Sequence, residues 1–452
     1  MLKNSPKIYK KRFAWPNGAP SPHAVFSILG ERCCAILENP LGRGKHFIAS
    51  TVGESRFLPF EANQHEVELF FNRWRERLVV TDDQEETGIQ CIVYAAYEAS
   101  ALIEPTLPRS KSSPPMGAAI WLHSPVWTID FDCDLHQCTI YTIESEKKLE
   151  QLTGWLLSIQ VDKTVHYEQI EVDEPLCLQE NLYTSSVEKV KDYIAAGDIF
   201  QANIARYWYT PFCSGETRAL YAKLREVNPA PFSCYVEMQV DDRACTIISA
   251  SPERLFRLSA EGVVETRPIA GTRRRDENEE DQRLQDELLL SEKERAEHIM
   301  LVDLERNDLG RIAIPGSVCV NECMSIEKYS TVQHIVSNIK AQLDPRYDVI
   351  DLLKATFPGG TITGCPKVRC MQIIHEQENN ARGPYTGSLG YIAWNGSSDL
   401  NILIRTFWHE NGILNWAAGA GIVADSDAML ELEETSHKAA GLIRALKITT
   451  HQ

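Results

Sequence analysis

Four glutamates stand in two pairs of equal spacing, Glu294 with Glu297 and Glu431 with Glu434. Three residues apart on a helix, the members of a pair share one face. Two such faces brought together would form an all-oxygen site for Mg²⁺, which keeps several waters and takes few carboxylates. On spacing alone the commoner meaning is a solvated helix face. Ser291, three residues before Glu294, also reads as the start of a capping box. A further acid, Glu253, follows Ser251-Pro252 at the end of a predicted strand and by itself reads as a surface ion pair with Arg254 or another base. His334, beside apolar Ile335 and Val336, reads by itself as a structural histidine.

The stretch Pro358 to Arg369 holds Gly359, Gly360, Gly364 and Pro366. The glycines permit a bent backbone, and Pro366 suits the first turn of a helix. Val368, Met371 and Ile373 or Ile374 then recur at helical spacing. Such a loop can aim the free N–H groups of a helix start at an anion, with Lys367 and Arg369 close by. A structural turn before an amphipathic helix explains the same residues.

Several segments decide between these readings by their order. Arg267-Pro-Ile-Ala-Gly-Thr-Arg, Lys293-Glu-Arg-Ala-Glu-His, Asn307-Asp-Leu-Gly-Arg, His334-Ile-Val-Ser, the glycine loop and Gly419-Ala-Gly-Ile-Val-Ala-Asp-Ser resemble the chorismate-utilising enzymes. That family includes anthranilate synthase component I and aminodeoxychorismate synthase component I. The resemblance runs over roughly residues 185–445. It implies an α+β fold of two packed, largely antiparallel sheets with helices outside. Residues 1–180 are then a divergent N-terminal part joined to the same core, and residues 181–452 the chorismate-binding catalytic region.

The resemblance also assigns roles. Glu297 and Glu434 fall on the family's Mg²⁺ carboxylates, with Glu294 and Glu431 behind them, through water. Arg405, Lys438 and the backbone N–H groups of Gly419, Ala420 and Gly421 fall where the carboxylates of chorismate are held. A guanidinium fork suits that work. Thr361 and Tyr385 add hydroxyl donors, and Ala270 and Gly271 belong to the substrate-facing Arg267 motif. Without the family, Arg405 is a strand-edge salt bridge and Lys438 the i, i+4 partner of Glu434. Glu253 matches the catalytic carboxylate, expected to protonate the departing C4 hydroxyl with a raised pKa. His334 matches the active-site histidine.

Gln201 stands where relatives that add water to the ring carry a lysine base. An amide cannot deprotonate water, so amination is expected. Only free ammonia attacks, and no glutaminase cysteine elbow is present, so a separate glutamine amidotransferase subunit is the expected ammonia source. Asn228-Pro-Ala-Pro-Phe-Ser-Cys-Tyr and Phe200-Gln-Ala-Asn203 resemble aminodeoxychorismate synthases; anthranilate synthases typically have Pro-Tyr-Met at Pro231-Phe-Ser, part of their tryptophan-inhibition site. Ala35-Ile-Leu-Glu-Asn39 likewise shows no clear inhibitor-binding Leu-Leu-Glu-Ser. Ala270, where many aminodeoxychorismate synthases place a nucleophilic lysine, and Gly419-Ala-Gly421 lean toward anthranilate synthase. A scaffold that binds chorismate or an amidotransferase without turnover is the remaining alternative. Glu253, Glu297, His334, Glu434 and Lys438 together speak against it.

Bulk properties agree. The 452 residues are 43% hydrophobic and 24% charged, with a formal charge of −17, which suits a sizeable core and argues against non-specific nucleic-acid binding. Arg273 to Arg275, followed by the acidic stretch Asp276 to Asp281, reads as a solvated loop. No apolar run long enough to span a membrane and no signal-like start are evident, so a cytoplasmic location is expected. Thirteen scattered cysteines form no disulfide framework or paired CxxC zinc spacing, and Cys133, His136 and Cys138 read as strand edge or core.

Positioning elements follow from periodicity. Strands are expected at Ala118–Asp130, Cys138–Ile143, Ile199–Tyr209 with one buried face, Ser233–Met238, Cys245–Ala250 and Leu255–Leu258. Asn401–Glu410, the pair Asn411-Gly412 and Ile413–Ala418 read as a hairpin. Helices are expected from Ser186 to Gly197, from near Ser291, and over Glu431–Leu446.

Overall fold

A computed structural model describes residues 6–15, 19–85, 87–159, 170–178, 180–213, 216–274, 283, 285, 286, 290–328 and 332–449. Two antiparallel sheets face each other, one of 12 strands and one of 10. The larger runs from Tyr9–Ala14 through Gln137–Thr142, Trp127–Asp132, Lys45–Ser50 and Cys33–Glu38. It continues through Phe232–Val240, Arg243–Ser251, Thr406–Glu410, Ile413–Ile422 and Gln201–Pro211. The smaller includes Val332–Gln342, Val263–Thr266, Arg254–Leu258, Ser398–Ile402, Ser388–Ala393, Ile89–Ala95, Ile120–Pro125 and Gly53–Leu58. Strands from the first 180 residues lie in both sheets.

Alternation along each strand builds the layers. Cys234, Val236 and Met238 meet Tyr94, Trp121 and Leu389 between the sheets, while Tyr235 points outward among Phe26, Leu220 and Leu224. The outer face of the larger sheet is covered by the helices Pro22–Leu29, Glu146–Leu157, Thr217–Val227 and Ala428–Ile443. The outer face of the smaller is covered by Gln64–Arg77, Glu292–Gly310 and Val349–Thr356. The order is helix, sheet, sheet, helix, the α+β sandwich the resemblance implied.

Both faces of most strands are therefore buried, which corrects the single buried face expected for Ile199–Tyr209. That strand runs Gln201–Pro211 and is enclosed on both sides almost to its end. Ala205 and Tyr207 face the other sheet, and Ala202 and Ile204 face the helices Glu180–Ala195 and Lys367–Gln377.

Two expected strands are each two strands in different sheets. Ala118–Asp130 divides at Val126: Ile120–Pro125 lies in the smaller sheet and Trp127–Asp132 in the larger. Asn401–Glu410 divides likewise, Ser398–Ile402 in the smaller sheet and Thr406–Glu410 in the larger. The hairpin proper joins Thr406–Glu410 to Ile413–Ile422, with Asn411 and Gly412 at φ 52° and 73° as a tight primed turn requires. The helix expected from Ser186 begins earlier, at Glu180. The closing helix is Ala428–Ile443, started by Asp427, whose carboxylate accepts from the N–H of Met429 and Leu430. Residues 275–282, which include the acidic stretch, lie outside the described residues. No helix among the described residues is long and apolar enough to cross a membrane.

Candidate functional site

Glu253 occupies the connection between Arg243–Ser251 in the larger sheet and Arg254–Leu258 in the smaller. A second connection between the same sheets, Leu403 to Arg405, runs beside it. Ser251 Oγ donates to the Ile402 carbonyl at 2.5 Å, Ile402 N–H donates to the Glu253 carbonyl at 3.0 Å, and Ala250 N–H donates to the Arg405 carbonyl at 3.1 Å. Arg405 adopts φ 50°, a left-handed turn forced by the change of sheet. Two segments 150 residues apart thus fix one acid and one base at one end of the layer between the sheets.

Glu253 is only 6% exposed, and Thr361 Oγ1 from the glycine loop donates to its Oε1 at 2.6 Å. Burial pushes its carboxyl up to about 7, against the hydrogen bond from Thr361 and the charges of Lys438 and Arg405. The group is a neutral acid over much of the range below neutrality. His334, 5% exposed, is held neutral by burial and by the Arg405 charge, its pKa lowered to about 4. Its Nδ1 lies 3.4 Å from the Gly271 carbonyl. Gly271, at φ 63°, sits in a bulge between Ala270 and Thr272, opposite Ile335 and His334.

The strand segments Asn203–Ala205 and Gly419–Gly421 pair in register and supply another wall, with Gln201 at the near end of the first strand. Gln201 is 5% exposed and its Nε2 donates to Glu297 Oε1 at 2.6 Å. A Cβ on Gly421 would stand 2.3 Å from that Nε2, so only glycine admits the amide there. Gly364, at φ 130°, lets the glycine loop lie against the Gln201 carbonyl, which a Cβ would meet at 2.0 Å. Ala420 points away, fully buried among the helix-facing residues. Tyr385, also buried, directs its hydroxyl to Asn203 Oδ1 at 3.5 Å. Burial raises that phenol's pKa, so it remains a donor. Thr406–Glu410 covers Ile413–Ile422 only as far as Trp416, leaving one backbone edge beyond it without a strand partner among the described residues.

The carboxylate pairs separate into different tasks. Glu297 and Glu434 attach to the same strand end: Glu297 through Gln201 beside Gly421, and Glu434 through Lys438. Lys438 Nζ is 2.7 Å from Glu434 Oε1 and donates to the Gly419 carbonyl at 3.0 Å. Glu431 Oε1 accepts from Ser426 Oγ at 2.6 Å, within the start of its own helix. Glu294 offers its N–H to Ser291 Oγ at 3.3 Å, the first half of the expected capping box. Hard oxygen donors on two helices suit Mg²⁺. Among the described residues no three acidic, His or Cys side chains gather closely enough to hold an ion. A divalent ion here would need substrate and water to complete its shell.

Two readings of the glycine loop do not hold. Lys367 and Arg369 do not flank an open helix start. Lys367 Nζ is bound by Asp308 and the Thr356 carbonyl, and Arg369 faces Asp198 and Glu376. Pro366 is the N-cap and Lys367 the first helical residue. Sequence reasoning also passed over Glu305, an acid on the buried side of Glu292–Gly310, although it adjoins the Asn307 motif. Its signal was the helical interval of eight from Glu297.

The family of chorismate binding enzymes matches residues 34–444. Aminodeoxychorismate synthase component 1 of Bacillus subtilis is 49% identical over 275 residues, 60% of this chain and 57% of that protein. Anthranilate synthase component 1 of Aquifex aeolicus is 50% identical over 263 residues, 58% of this chain and 52% of that protein. The chain thus spans about half the length of these curated relatives. The crystal structure of anthranilate synthase component I from Streptococcus pneumoniae superposes with a TM-score of 0.72 at 28% identity, covering 98% of this chain and 93% of that one.

Proposed function

The chain belongs to the chorismate-binding enzymes, and on that premise we propose that it aminates chorismate at C4, with Mg²⁺, to give 4-amino-4-deoxychorismate for p-aminobenzoate and folate synthesis. A separate glutamine amidotransferase subunit would supply the ammonia, in the cytoplasm. The observation that carries the reading is Glu253, a buried acid with a single neutral donor and a pKa near neutrality. Such a group can give a proton to a poor leaving group such as a hydroxyl. Thr361 aims it, and Arg405 and Lys438 bring positive charge to a protein of net charge −17 that must hold a dianion. The edge beyond Trp416 offers backbone N–H groups for a carboxylate. Gln201 supports amination over hydration, because its amide is committed to Glu297 and has no basic lone pair to take a proton from water.

Glu297 and Glu434 would hold Mg²⁺ by their oxygen donors, with Glu294 and Glu431 outside them. When bound, the ion supplies Lewis-acid stabilisation of negative charge at the ring carboxylate.

Amination at C4 rather than C2 is supported by Phe232 and Ser233. With Glu38 and Asn39 they line a cavity of about 460 Å³. The Glu38 carboxylate there is already engaged by Tyr221 at 2.7 Å and Arg225 at 2.8 Å. This fits poorly with the tryptophan-inhibition site typical of anthranilate synthases. Ala270 favours the second reading, anthranilate and pyruvate, since it removes the lysine nucleophile; under the first reading ammonia attacks C4 directly. The test is incubation of the purified chain with chorismate, Mg²⁺ and ammonium salt, with products identified by mass and fluorescence. Aminodeoxychorismate is expected. Anthranilate with pyruvate would overturn C4 amination, and no metal-dependent consumption would leave only the scaffold alternative.

A further inference from the structure

Arg206 has no part in the site as described, yet its side chain holds one of the helices that build it. It projects from the strand Gln201–Pro211 toward the helices and is only 3% exposed. Its guanidinium lies 4.9 Å from the ring of Trp208, two residues along the same face. Nη1 donates to three oxygens of the closing helix Ala428–Ile443: the Leu432 carbonyl at 3.0 Å, Thr435 Oγ1 at 2.9 Å and Ser436 Oγ at 3.0 Å. Nη2 donates instead to Cys177 Sγ at 3.2 Å and to the carboxylate of Glu180, at the start of the helix Glu180–Ala195. An apolar side chain would fill the same space. A guanidinium adds direction, because its planar fork bonds acceptors in fixed places.

The three helix acceptors span a single turn, and that turn carries Glu434. One turn further on, Lys438 Nζ meets both Glu434 and the Gly419 carbonyl. A helix packed by apolar contacts alone can slide or roll. A shift of one residue would carry Glu434 about 1.5 Å along the axis and about 100° around it. Arg206 opposes both movements, since a carbonyl and two hydroxyls must all stay within its reach. Lys438 cannot do this once it turns to a carboxylate of the substrate, because its bond to Gly419 is then given up. None of the partners of Arg206 is a residue of the site, so its grip does not depend on substrate. The other carboxylate, Glu297, is held by Gln201, earlier on the same strand. One strand thus fastens both halves of the acidic site.

We propose that Arg206 is a positioning residue for that site: it fixes the register of Ala428–Ile443 on Gln201–Pro211, and with it the place of Glu434 relative to Glu297. This rests on the reading of those two carboxylates as the holders of Mg²⁺. Arg206 itself touches neither metal nor substrate.

The test titrates Mn²⁺, a paramagnetic probe of the same site, into the whole protein with chorismate and without ammonia, and reads free ion by electron paramagnetic resonance. Arg206→Met keeps the packing against Trp208 and strands no buried charge, because the Glu180 carboxylate is exposed. It should weaken Mn²⁺ binding about tenfold, the lower end of the loss when a group that orients a metal ligand is removed. Glu180→Gln alters only the other side of the guanidinium, and should bind Mn²⁺ as wild type does. The double variant Thr435→Val, Ser436→Ala removes two of the helix acceptors. It should weaken binding in the same direction, and adding Arg206→Met should bring little further loss, because residues acting through one contact do not add. Wild-type affinity in Arg206→Met would overturn the proposal alone. So would equal losses in Arg206→Met and Glu180→Gln, or losses that simply add in the triple variant. Should Arg206→Met not fold, wild-type affinity in the double variant would overturn it. A wild type that binds no Mn²⁺ overturns this proposal and the metal reading together, and leaves the role of Glu253 standing.

Discussion

Two glutamates buried to a similar degree are treated in opposite ways. Glu378 has a side chain only 6% exposed, and it accepts from Arg382 Nε and Nη2, Tyr207 Oη and the N–H of Ala205, all between 2.6 and 3.0 Å. Its charge is met by a guanidinium that also binds the carbonyls of Ile362 and Asn203. Glu253 is as deeply buried but receives one hydroxyl. The first arrangement joins the strand Gln201–Pro211 to the loop after Lys367–Gln377 and is satisfied as a charge. The second leaves the ionised form poorly served and so keeps a proton available. Burial alone does not mark a reacting acid; burial with too few donors does.

Substitutions can break or sharpen this contrast. Glu253→Gln should lower turnover by about 10²–10⁴ while the fold is kept, as judged by steady-state kinetics beside circular dichroism. Near-normal turnover would remove Glu253 from the chemistry. Glu378→Ala should do the converse, costing about 3–5 kcal/mol in denaturant unfolding because Arg382 stays buried without its partner. A loss below about 1 kcal/mol would place Glu378 with exposed ion pairs.

A third distinction is in pH. The folded pKa of Glu253, about 7, lies above the 4.5 of an unperturbed glutamate. The folded state therefore binds more protons between those values, and stability falls as pH rises from about 4.5 to about 7. Glu253→Gln removes that penalty. Its gain over wild type should be absent near pH 4 and reach on the order of 3 kcal/mol at pH 8. Unfolding of both proteins at the two pH values measures it, and equal differences at both would contradict the raised pKa. The smallest effect concerns placement. Gly421→Ala should displace the Gln201 amide from Glu297 and lower turnover about ten- to a hundredfold, with little change in melting temperature. Unaltered kinetics would show that the Gln201–Glu297 contact is dispensable.

Much of this was legible before the structure, though unevenly. Helix starts at Ser291 and Asp427 and the Asn411-Gly412 turn are local chemistry, and they lie within a few residues of where periodicity and capping put them. The strands at Ala118–Asp130 and Asn401–Glu410 were each read as one because apolar alternation continues through a change of sheet. Periodicity reports which side chains are buried, not against which layer. The same limit hid the second buried face of Gln201–Pro211. Lys367 and Arg369 were misplaced because their acids, Asp308 and Asp198, are distant in sequence and carry no periodic mark. Glu305 was missed for a related reason: a single glutamate in a charged helix resembles solvated surface until the sheet beneath it is known.

The passage of the chain from one sheet to the other at Val126, as at Glu253 and Leu403, constrains how variants can be assembled. Residues before position 180 furnish interior strands of both layers, so they are no detachable module. A chimera that exchanges this portion with a relative must recreate both strand ladders and the packing between them at once. Exchanges confined to outer helices that carry no residue of the candidate site, such as Pro22–Leu29 and Gln64–Arg77, face no such requirement, and are the better place to alter this protein without disturbing the two connections that hold its acid in place.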